Sequence, residues 1–224
     1  MKHESLTFRT ALASIALASA LLPCPAAAQN LNINAELISA ARAGSEAGVR
    51  AAIAQGASPD SRNRLGDTPL NLACRSGQAA MARQLIESGA DVNLPDLAGV
   101  TPLMSASFGG HIDIVRLLLK SKADLKAADR IKKTAMVYAA GSGHTAIVQE
   151  LLAAGTDVNQ RYDNELTALM WAAGYGHADT AKLLLARGAD PALRDNRGMT
   201  ALMMAEEQGN RPVAELLRVS GAKP

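Results

Sequence analysis

The chain has 224 residues, of which 48% are hydrophobic and 20% are charged, and its formal net charge is +2 at pH 7. This composition excludes an intrinsically disordered chain, which combines low hydrophobicity with high net charge. Because the charge is nearly balanced, the sequence does not indicate the concentrated basic face that a nucleic-acid-binding protein needs. Only 3% of the residues are aromatic, so the interior must consist of small and aliphatic side chains, which favours closely packed helices.

The first predicted element is a secretory signal peptide over residues 1–28. A positively charged start is followed by an uncharged apolar run over residues 10–22 and by the tripeptide AAA, a small-residue cleavage signal. We expect cleavage between Ala28 and Gln29, which leaves a periplasmic or secreted mature chain, residues 29–224. An apolar run this short does not span a bilayer core of about 30 Å, so the mature form is expected to have no membrane segment. A retained N-terminal anchor is the alternative.

After the leader, the sequence repeats with a period of 33 residues. A threonine recurs at that spacing and a glycine follows it nine residues later, as in Thr68 and Gly77, Thr101 and Gly110, Thr134 and Gly143, Thr167 and Gly176, and Thr200 and Gly209. An earlier copy keeps this register without the threonine. Self-similarity at a fixed period is the signature of a stacked repeat architecture. We predict about six copies, approximately at residues 30–62, 63–95, 96–128, 129–161, 162–194 and 195–224.

Each copy predicts two short helices. The threonine is placed to cap the first helix, and the glycine is placed to end it. The fifth residue after the threonine position is alanine in every copy, at Ala40, Ala73, Ala106, Ala139, Ala172 and Ala205. A side chain this small on one helix face predicts close approach of neighbouring helices. Helices this short are not stable alone, so stacking must bury one continuous core.

Four recurring motifs identify the repeat type: TPL after Asp67 and Val100, GH at His111, His144 and His177, GAD at Gly89 and Gly188, and DVN at Asp91 and Asp157. They resemble the ankyrin repeat, and in particular exported bacterial proteins of that type. The resemblance implies an all-α solenoid in which each helix-turn-helix repeat carries a β-turn finger. It also implies that the three histidines tie their helices to the neighbouring loop. The alternative, a shared metal ion, conflicts with the spacing of about 8–10 Å between packed helices.

No catalytic, cofactor-binding or metal-binding set is expected, because each candidate residue has a place in the repeat. Cys74 falls at a small-residue position, which predicts a buried, unreactive thiol. Trp171 falls at a position of variable size, which predicts a partly exposed packing residue. The alternative is a hydrolase that uses Tyr175, His177 and Asp179, and it requires His177 to be free of structural contacts.

The resemblance implies a non-enzymatic scaffold that binds a partner protein through its concave face and finger tips. The candidate partner-binding residues combine arginine and aromatic types, which dominate binding energy at interfaces: Phe108, Arg130, Ile131, Lys133, Arg161, Tyr175, Arg194 and Arg197. The identity of the partner is not encoded in the repeat pattern. Similar exported proteins are thought to protect or assist partner enzymes. A monomer is expected, and a self-associating structural protein is the alternative.

Three residues depart from the repeat pattern. Lys122, Lys132 and Glu165 stand where other copies have glycine. If the backbone there keeps a positive φ, each residue costs on the order of 1 kcal/mol. We therefore predict a reshaped finger around Lys132. Arg130 and Lys133 add positive charge beside it, which favours an acidic partner.

Overall fold

A computed structural model of the chain describes residues 25–223. Within that range there are twelve α-helices, one 3₁₀ turn at Asp163–Glu165 and no β-strand. The helices are α1 (Pro25–Ala43), α2 (Glu46–Ala54), α3 (Pro69–Arg75), α4 (Ala79–Glu87), α5 (Pro102–Phe108), α6 (Ile112–Lys120), α7 (Ala135–Gly141), α8 (Thr145–Ala153), α9 (Ala168–Gly174), α10 (Ala178–Ala186), α11 (Ala201–Glu207) and α12 (Arg211–Val219). Most of the predicted signal peptide lies outside the described residues, and that prediction stays open.

The helices form a stack of antiparallel pairs. Each odd-numbered helix packs against the even-numbered helix that follows it and against the odd-numbered helices on either side. The even-numbered helices form a second layer, which is more loosely packed. We call the odd-numbered helices the inner layer and the even-numbered helices the outer layer. The described part of the chain is therefore an all-α solenoid whose inner layer is the more tightly packed one.

Alanine explains the tight inner layer. Ala73, Ala106, Ala139, Ala172 and Ala205 are all completely buried between consecutive inner helices. The outer helices contribute larger aliphatic side chains to the same core, such as Leu85, Leu118 and Leu151. The predicted close approach at the alanine position is therefore confirmed for these five copies. Only Ala40, in the first helix of the stack, is half-buried.

Threonine caps begin most of the inner helices. The side chains of Thr68, Thr101, Thr167 and Thr200 each accept a hydrogen bond from the backbone N–H three residues on, at 3.1–3.4 Å. Thr134 is the exception, because its buried side chain accepts no hydrogen bond from the first turn of α7. The predicted cap at Thr134 is thus wrong, although α7 still begins there.

Five finger turns connect the helix pairs: residues 63–67, 96–100, 129–133, 162–166 and 195–199. We call them the first to fifth fingers. Lys132 in the third finger keeps the left-handed backbone of its glycine counterparts, with φ 62°. Its N–H also closes the same turn, on the carbonyl of Asp129 at 3.0 Å. The predicted reshaping around Lys132 is therefore wrong, because the turn holds its geometry at the expense of backbone strain.

The reshaped finger is the fourth one. Its backbone forms the 3₁₀ turn, and both Asn164 and Glu165 have positive φ, at 57° and 62°. In the third finger the Asp129 carboxylate accepts hydrogen bonds from two backbone N–H groups of the turn. Tyr162 stands at the corresponding position of the fourth finger and has no carboxylate to accept those bonds. The turn therefore loses this side-chain anchor. It keeps the closing backbone bond from the Glu165 N–H to the Tyr162 carbonyl at 3.1 Å, and its path changes at Asn164.

Within the described residues no helix combines the length and the hydrophobicity needed to cross a bilayer.

Candidate partner-binding surface

The three histidines of the GH motif connect consecutive helix pairs. Each stands at the start of an outer helix. Its Nε2–H donates to a carbonyl in the last turn of the inner helix that belongs to the preceding helix pair. The distances are 3.4 Å from His111 to Arg75, and 2.9 Å from His144 to Phe108 and from His177 to Gly141. This is the structural role that the repeat resemblance implied, although the acceptors lie at helix ends rather than in a loop.

These contacts bear directly on the hydrolase alternative. His177 uses its Nε2–H to hold Gly141, and the Tyr175 ring stacks beside its imidazole with 6.5 Å between ring centroids. Asp179 is exposed in the first turn of α10, where a carboxylate stabilises the helix dipole. The alternative required a free His177, and the structure shows an engaged one.

Cys74 is completely buried in α3. Burial disfavours the charged thiolate and raises the pKa of Cys74 well above its ordinary value. A thiol that stays protonated and inaccessible is a poor nucleophile. The predicted buried thiol is confirmed.

Aromatic residues line a groove on the inner face of the stack. Phe108, Lys133, Tyr138, Trp171 and Tyr175 surround a space of about 140 Å³, and we call it the aromatic groove. The Phe108 and Tyr138 rings meet edge to face at 5.7 Å, and the Trp171 and Tyr175 rings stack at 5.8 Å. Phe108 and Tyr175 are 61% and 60% exposed. The groove therefore offers rigid apolar surface that the fold leaves uncovered.

A positive charge lies in the middle of the aromatic groove. The Lys133 Nζ is 4.9 Å from the centroid of the Trp171 ring and 5.7 Å from that of Tyr138, within the range of cation–π attraction. The Tyr138 hydroxyl donates to the buried Asp129 carboxylate at 2.6 Å. Burial, together with this bond, raises the pKa of Tyr138 well above its ordinary value. The Tyr138 ring is thus fixed in place, and it holds the ammonium group over the groove.

A second groove adjoins the first. Trp171 and Tyr175 form its wall on one side, and Arg197 and Glu207 lie on the other side of a space of about 330 Å³. The Arg197 guanidinium pairs with the buried Asp195 carboxylate at 2.9 Å. Burial alone would raise the pKa of Asp195, but hydrogen bonds from Met199 and Arg197 outweigh burial and lower it below its usual value.

The remaining candidate residues lie along the fingers. Ile131 is 62% exposed at the third finger, next to Arg130. Arg161 pairs with Glu165 at 2.8 Å and also donates to the Arg194 carbonyl at 3.2 Å. Arg194 itself donates to the Gly198 carbonyl at 2.7 Å. The structure thus brings Phe108, Lys133 and Tyr175 into one groove, places Arg197 in the adjoining groove, and leaves the other candidates on the finger surface.

Sequence reasoning missed two residues of the aromatic groove, Tyr138 and Trp171. Trp171 is half-buried, as predicted, but its exposed part faces the groove. One signal could have found both residues. Trp171 and Tyr175 are four residues apart at the end of α9, the spacing of residues that share a helix face. Tyr138 occupies the position of Trp171 one repeat earlier.

The described part of the chain is an all-helical solenoid with an uncovered aromatic groove, and the curved faces of stacked repeats are the surfaces that repeat proteins in general use for binding. A family model for ankyrin repeats, which describes three copies, matches residues 14–96, 37–129, 94–162 and 136–224. The overlapping matches cover most of the chain, and the chain therefore belongs to the ankyrin-repeat family. Members of this family typically bind protein partners and are typically not enzymes. No curated protein matches the chain significantly.

Proposed function

We propose that the chain is a non-enzymatic scaffold of six ankyrin repeats that binds a partner protein through the aromatic groove and the adjoining fingers. One observation carries the proposal. The whole chain contains one Trp, three Tyr and two Phe, and four of these residues line the aromatic groove. A core built almost entirely from aliphatic side chains has no need to place them together at the surface. Exposed aromatic clusters of this kind are typical hot spots of protein interfaces.

The binding mechanism follows from rigidity. The aromatic residues of the groove stand on the short inner helices or directly after them, the stack fixes those backbones, and the rings contact one another. Little side-chain freedom remains to be lost when a partner binds, so more of the contact energy appears as affinity. The same rigidity makes the groove selective for a partner of matching shape.

We further propose that this scaffold works as a monomer in the periplasm or outside the cell, where it protects or assists a partner enzyme. The signal-like start of the sequence, with cleavage expected before Gln29, supports export. Fractionation of the native host tests the location, and N-terminal sequencing of the mature protein tests the cleavage position. A chain that keeps residue 1 and stays in the cytoplasm contradicts this part of the proposal.

Site-specific photocrosslinking in the native host tests partner binding. A photoreactive phenylalanine analogue replaces Phe108 or Tyr175 in the groove, and Val219, which is 83% exposed at the end of the stack, serves as the control position. We expect one and the same partner protein to crosslink at both groove positions and not at the control. Crosslinks only between copies of this chain would favour the self-associating alternative. Identical crosslinks at all three positions would contradict a specific groove.

A further inference from the structure

The fingers are joined by a ladder of backbone hydrogen bonds that is interrupted once. In each case the second residue of a finger donates its N–H to the third residue of the preceding finger: Leu97 to Leu65 at 3.2 Å, Arg130 to Ala98 at 3.0 Å, and Asn196 to Asn164 at 3.0 Å. The corresponding bond from Asp163 to Ile131 is absent from the described part of the chain. The third and fourth fingers therefore lack this connecting bond, and the Asp163 N–H and the Ile131 C=O make no backbone hydrogen bond within residues 25–223.

A cleft of about 230 Å³ occupies this gap. Its walls include Ile131 and Lys133 from the third finger, Tyr162 and Asp163 from the fourth finger, and Trp171 from α9. The cleft arises where tyrosine replaces the usual aspartate and the fourth finger becomes a 3₁₀ turn. Because Lys133 and Trp171 line both spaces, the cleft continues the aromatic groove toward the finger tips.

Two side chains that line the cleft carry donor groups without a hydrogen-bond acceptor in the described chain, Trp171 and Lys133. The Trp171 Nε1–H is buried and has no hydrogen-bond partner, and a buried donor left unpaired is costly enough to be rare in native proteins. The Lys133 ammonium pairs with no carboxylate among the described residues and contacts only aromatic rings. The Tyr162 hydroxyl of the opposite wall is buried as well. The Asp163 N–H and the Ile131 carbonyl are the backbone donor and acceptor that the interrupted ladder leaves without each other.

The charge around the cleft is basic for a structural reason. Asp129, the carboxylate of the third finger, lies four residues before Lys133. It is buried and already accepts hydrogen bonds from two backbone N–H groups and from the Tyr138 hydroxyl. Asp163 is the acidic residue of the far wall, and its carboxylate accepts a bond from the Asn164 amide at 2.9 Å. Arg130 and Lys132 are exposed beside the cleft. Glu165 of the fourth finger pairs with Arg161 at 2.8 Å. The carboxylates near the cleft thus each have a polar partner within the chain, and Asp163 is the one negative charge among the described residues that line the cleft, against Lys132 and Lys133.

We infer that the cleft between the third and fourth fingers holds an extended, acidic segment of the partner protein. The segment's backbone pairs with the Ile131 carbonyl and the Asp163 N–H and restores the interrupted ladder, in the manner of strand addition at an open edge. A glutamate or aspartate side chain of the segment contacts the Lys133 ammonium. This inference rests on the proposed function and specifies the chemistry of the partner.

Selection from a random library of linear twelve-residue peptides displayed on phage tests the inference with the full-length mature chain. We expect the enriched peptides to be acidic and to change the fluorescence of Trp171, the only tryptophan of the chain. Lys133→Gln should weaken their binding about tenfold or more, since it removes one charge-assisted contact. Lys120→Gln, which removes an exposed lysine from the outer helix α6, should leave binding unchanged. Enrichment of non-acidic peptides, equal binding to Lys133→Gln, or no enrichment would overturn the inference.

A second pair of variants isolates the backbone contact. Asp163→Pro removes the unpaired N–H at the first position of the 3₁₀ turn, where proline is tolerated, and the preceding Tyr162 already has extended backbone angles. Asp163→Ala removes the carboxylate and keeps the N–H. We expect the proline variant to lose affinity for the selected peptides severalfold, while the alanine variant binds at least as well as the unmodified chain. Equal affinities would overturn the backbone pairing.

Failure of the inference is distinguishable from failure of the proposed function. Crosslinking through Phe108 and Tyr175 reports on the aromatic groove whatever occupies the cleft. A partner that still crosslinks at both positions, but binds Lys133→Gln as tightly as the unmodified chain, would overturn the acidic segment and leave the scaffold function standing.

Discussion

At the scale of single residues, the GH motif connects neighbouring repeats through two residues, and we call this connection the lock. The histidine holds the carbonyl of the preceding inner helix, and the glycine leaves room for the next histidine ring. A Cβ added to Gly143 would lie 2.5 Å from the His177 Nδ1, a distance that real contacts do not reach. Gly143 also has a positive φ of 73°. Two independent reasons therefore require glycine at this position.

Gly209 allows the backbone cost to be measured without the steric conflict. It has nearly the same φ of 70°, but nothing lies within 4 Å of an added Cβ. Gly209→Ala should lower the free energy of unfolding by about 1 kcal/mol, the cost of the backbone conformation alone. Gly143→Ala should lower it by about 1–3 kcal/mol more, because the new methyl group displaces His177 from Gly141. Urea unfolding of both variants measures the difference, and equal losses would contradict the lock.

Asp195 is a second residue whose role is local, and its role predicts a pH dependence. Its folded-state pKa lies below the usual value of about 3.9. The ionised carboxylate therefore stabilises the fold above that pH, and the stabilisation is lost as pH falls through the lowered pKa. Asparagine fits this turn, since Asn63 accepts two backbone N–H groups in the first finger.

Asp195→Asn should therefore keep the turn and lose only the charge. At pH 7 the variant should be less stable by about 1 kcal/mol, the difference between charged and neutral hydrogen bonds. The gap between the two unfolding free energies should close as pH is lowered below about 3.9. Urea unfolding between pH 7 and pH 2.5 checks this, and a gap that is independent of pH would show that the carboxylate charge is not its cause.

At the scale of the elements, the sequence predicted most of the structure, because repeated spacing samples the same physical requirement several times. The helices, the buried alanines and four of the threonine caps follow the 33-residue period. The predictions failed at Thr134 and at Lys132. In both cases the neighbouring repeats impose the backbone path, so a residue with a weak local preference does not change it. The backbone path changes instead in the fourth finger, where Tyr162 replaces the aspartate whose carboxylate holds the turn in the third finger.

The two kinds of threonine give a matched comparison of capping. Thr68 and Thr134 occupy the same position and are both buried, but only Thr68 accepts the N3 hydrogen bond. Thr68→Ala should lower the free energy of unfolding by about 1 kcal/mol. Thr134→Ala should lower it less, because both variants lose the same buried methyl group but only the Thr68 variant loses a capping hydrogen bond. Chemical denaturation distinguishes the two, and equal losses would show that the Thr134 hydroxyl also stabilises α7.

At the scale of the whole molecule, the binding surface was harder to predict than the scaffold. Exposed finger and helix positions could be identified from the repeat register, and three of the residues chosen there do line the aromatic groove. Tyr138 and Trp171 were missed because a side chain can be half-buried for packing and still present one face to a groove. The cleft depends on a hydrogen bond that fails to form between two fingers, and no spacing pattern reports such an absence.

The stack also predicts how the molecule unfolds. Each helix pair contacts mainly its neighbours, so cooperativity passes along the inner layer through the alanine contacts. Ala139 is completely buried in α7. Ala139→Leu should push α5 and α9 away from α7 and weaken the packing between these helices by about 1–3 kcal/mol. The two halves of the stack should then unfold separately. Trp171 fluorescence, which reports on α9, should give a different midpoint from far-ultraviolet circular dichroism, which reports on all helices.

Ala40 provides the control, because it holds the same repeat position in α1 and is only half-buried. Ala40→Leu disturbs the end of the stack and leaves every interior junction intact, so the two midpoints should coincide, as in the unmodified chain. Coincident midpoints for Ala139→Leu as well would mean that cooperativity does not depend on the inner alanines. The outer layer would then have to couple the repeats, although its helices are less closely packed. Separate midpoints for Ala139→Leu alone would place the coupling in the same layer that presents the aromatic groove, so that a partner bound there would hold neighbouring repeats together.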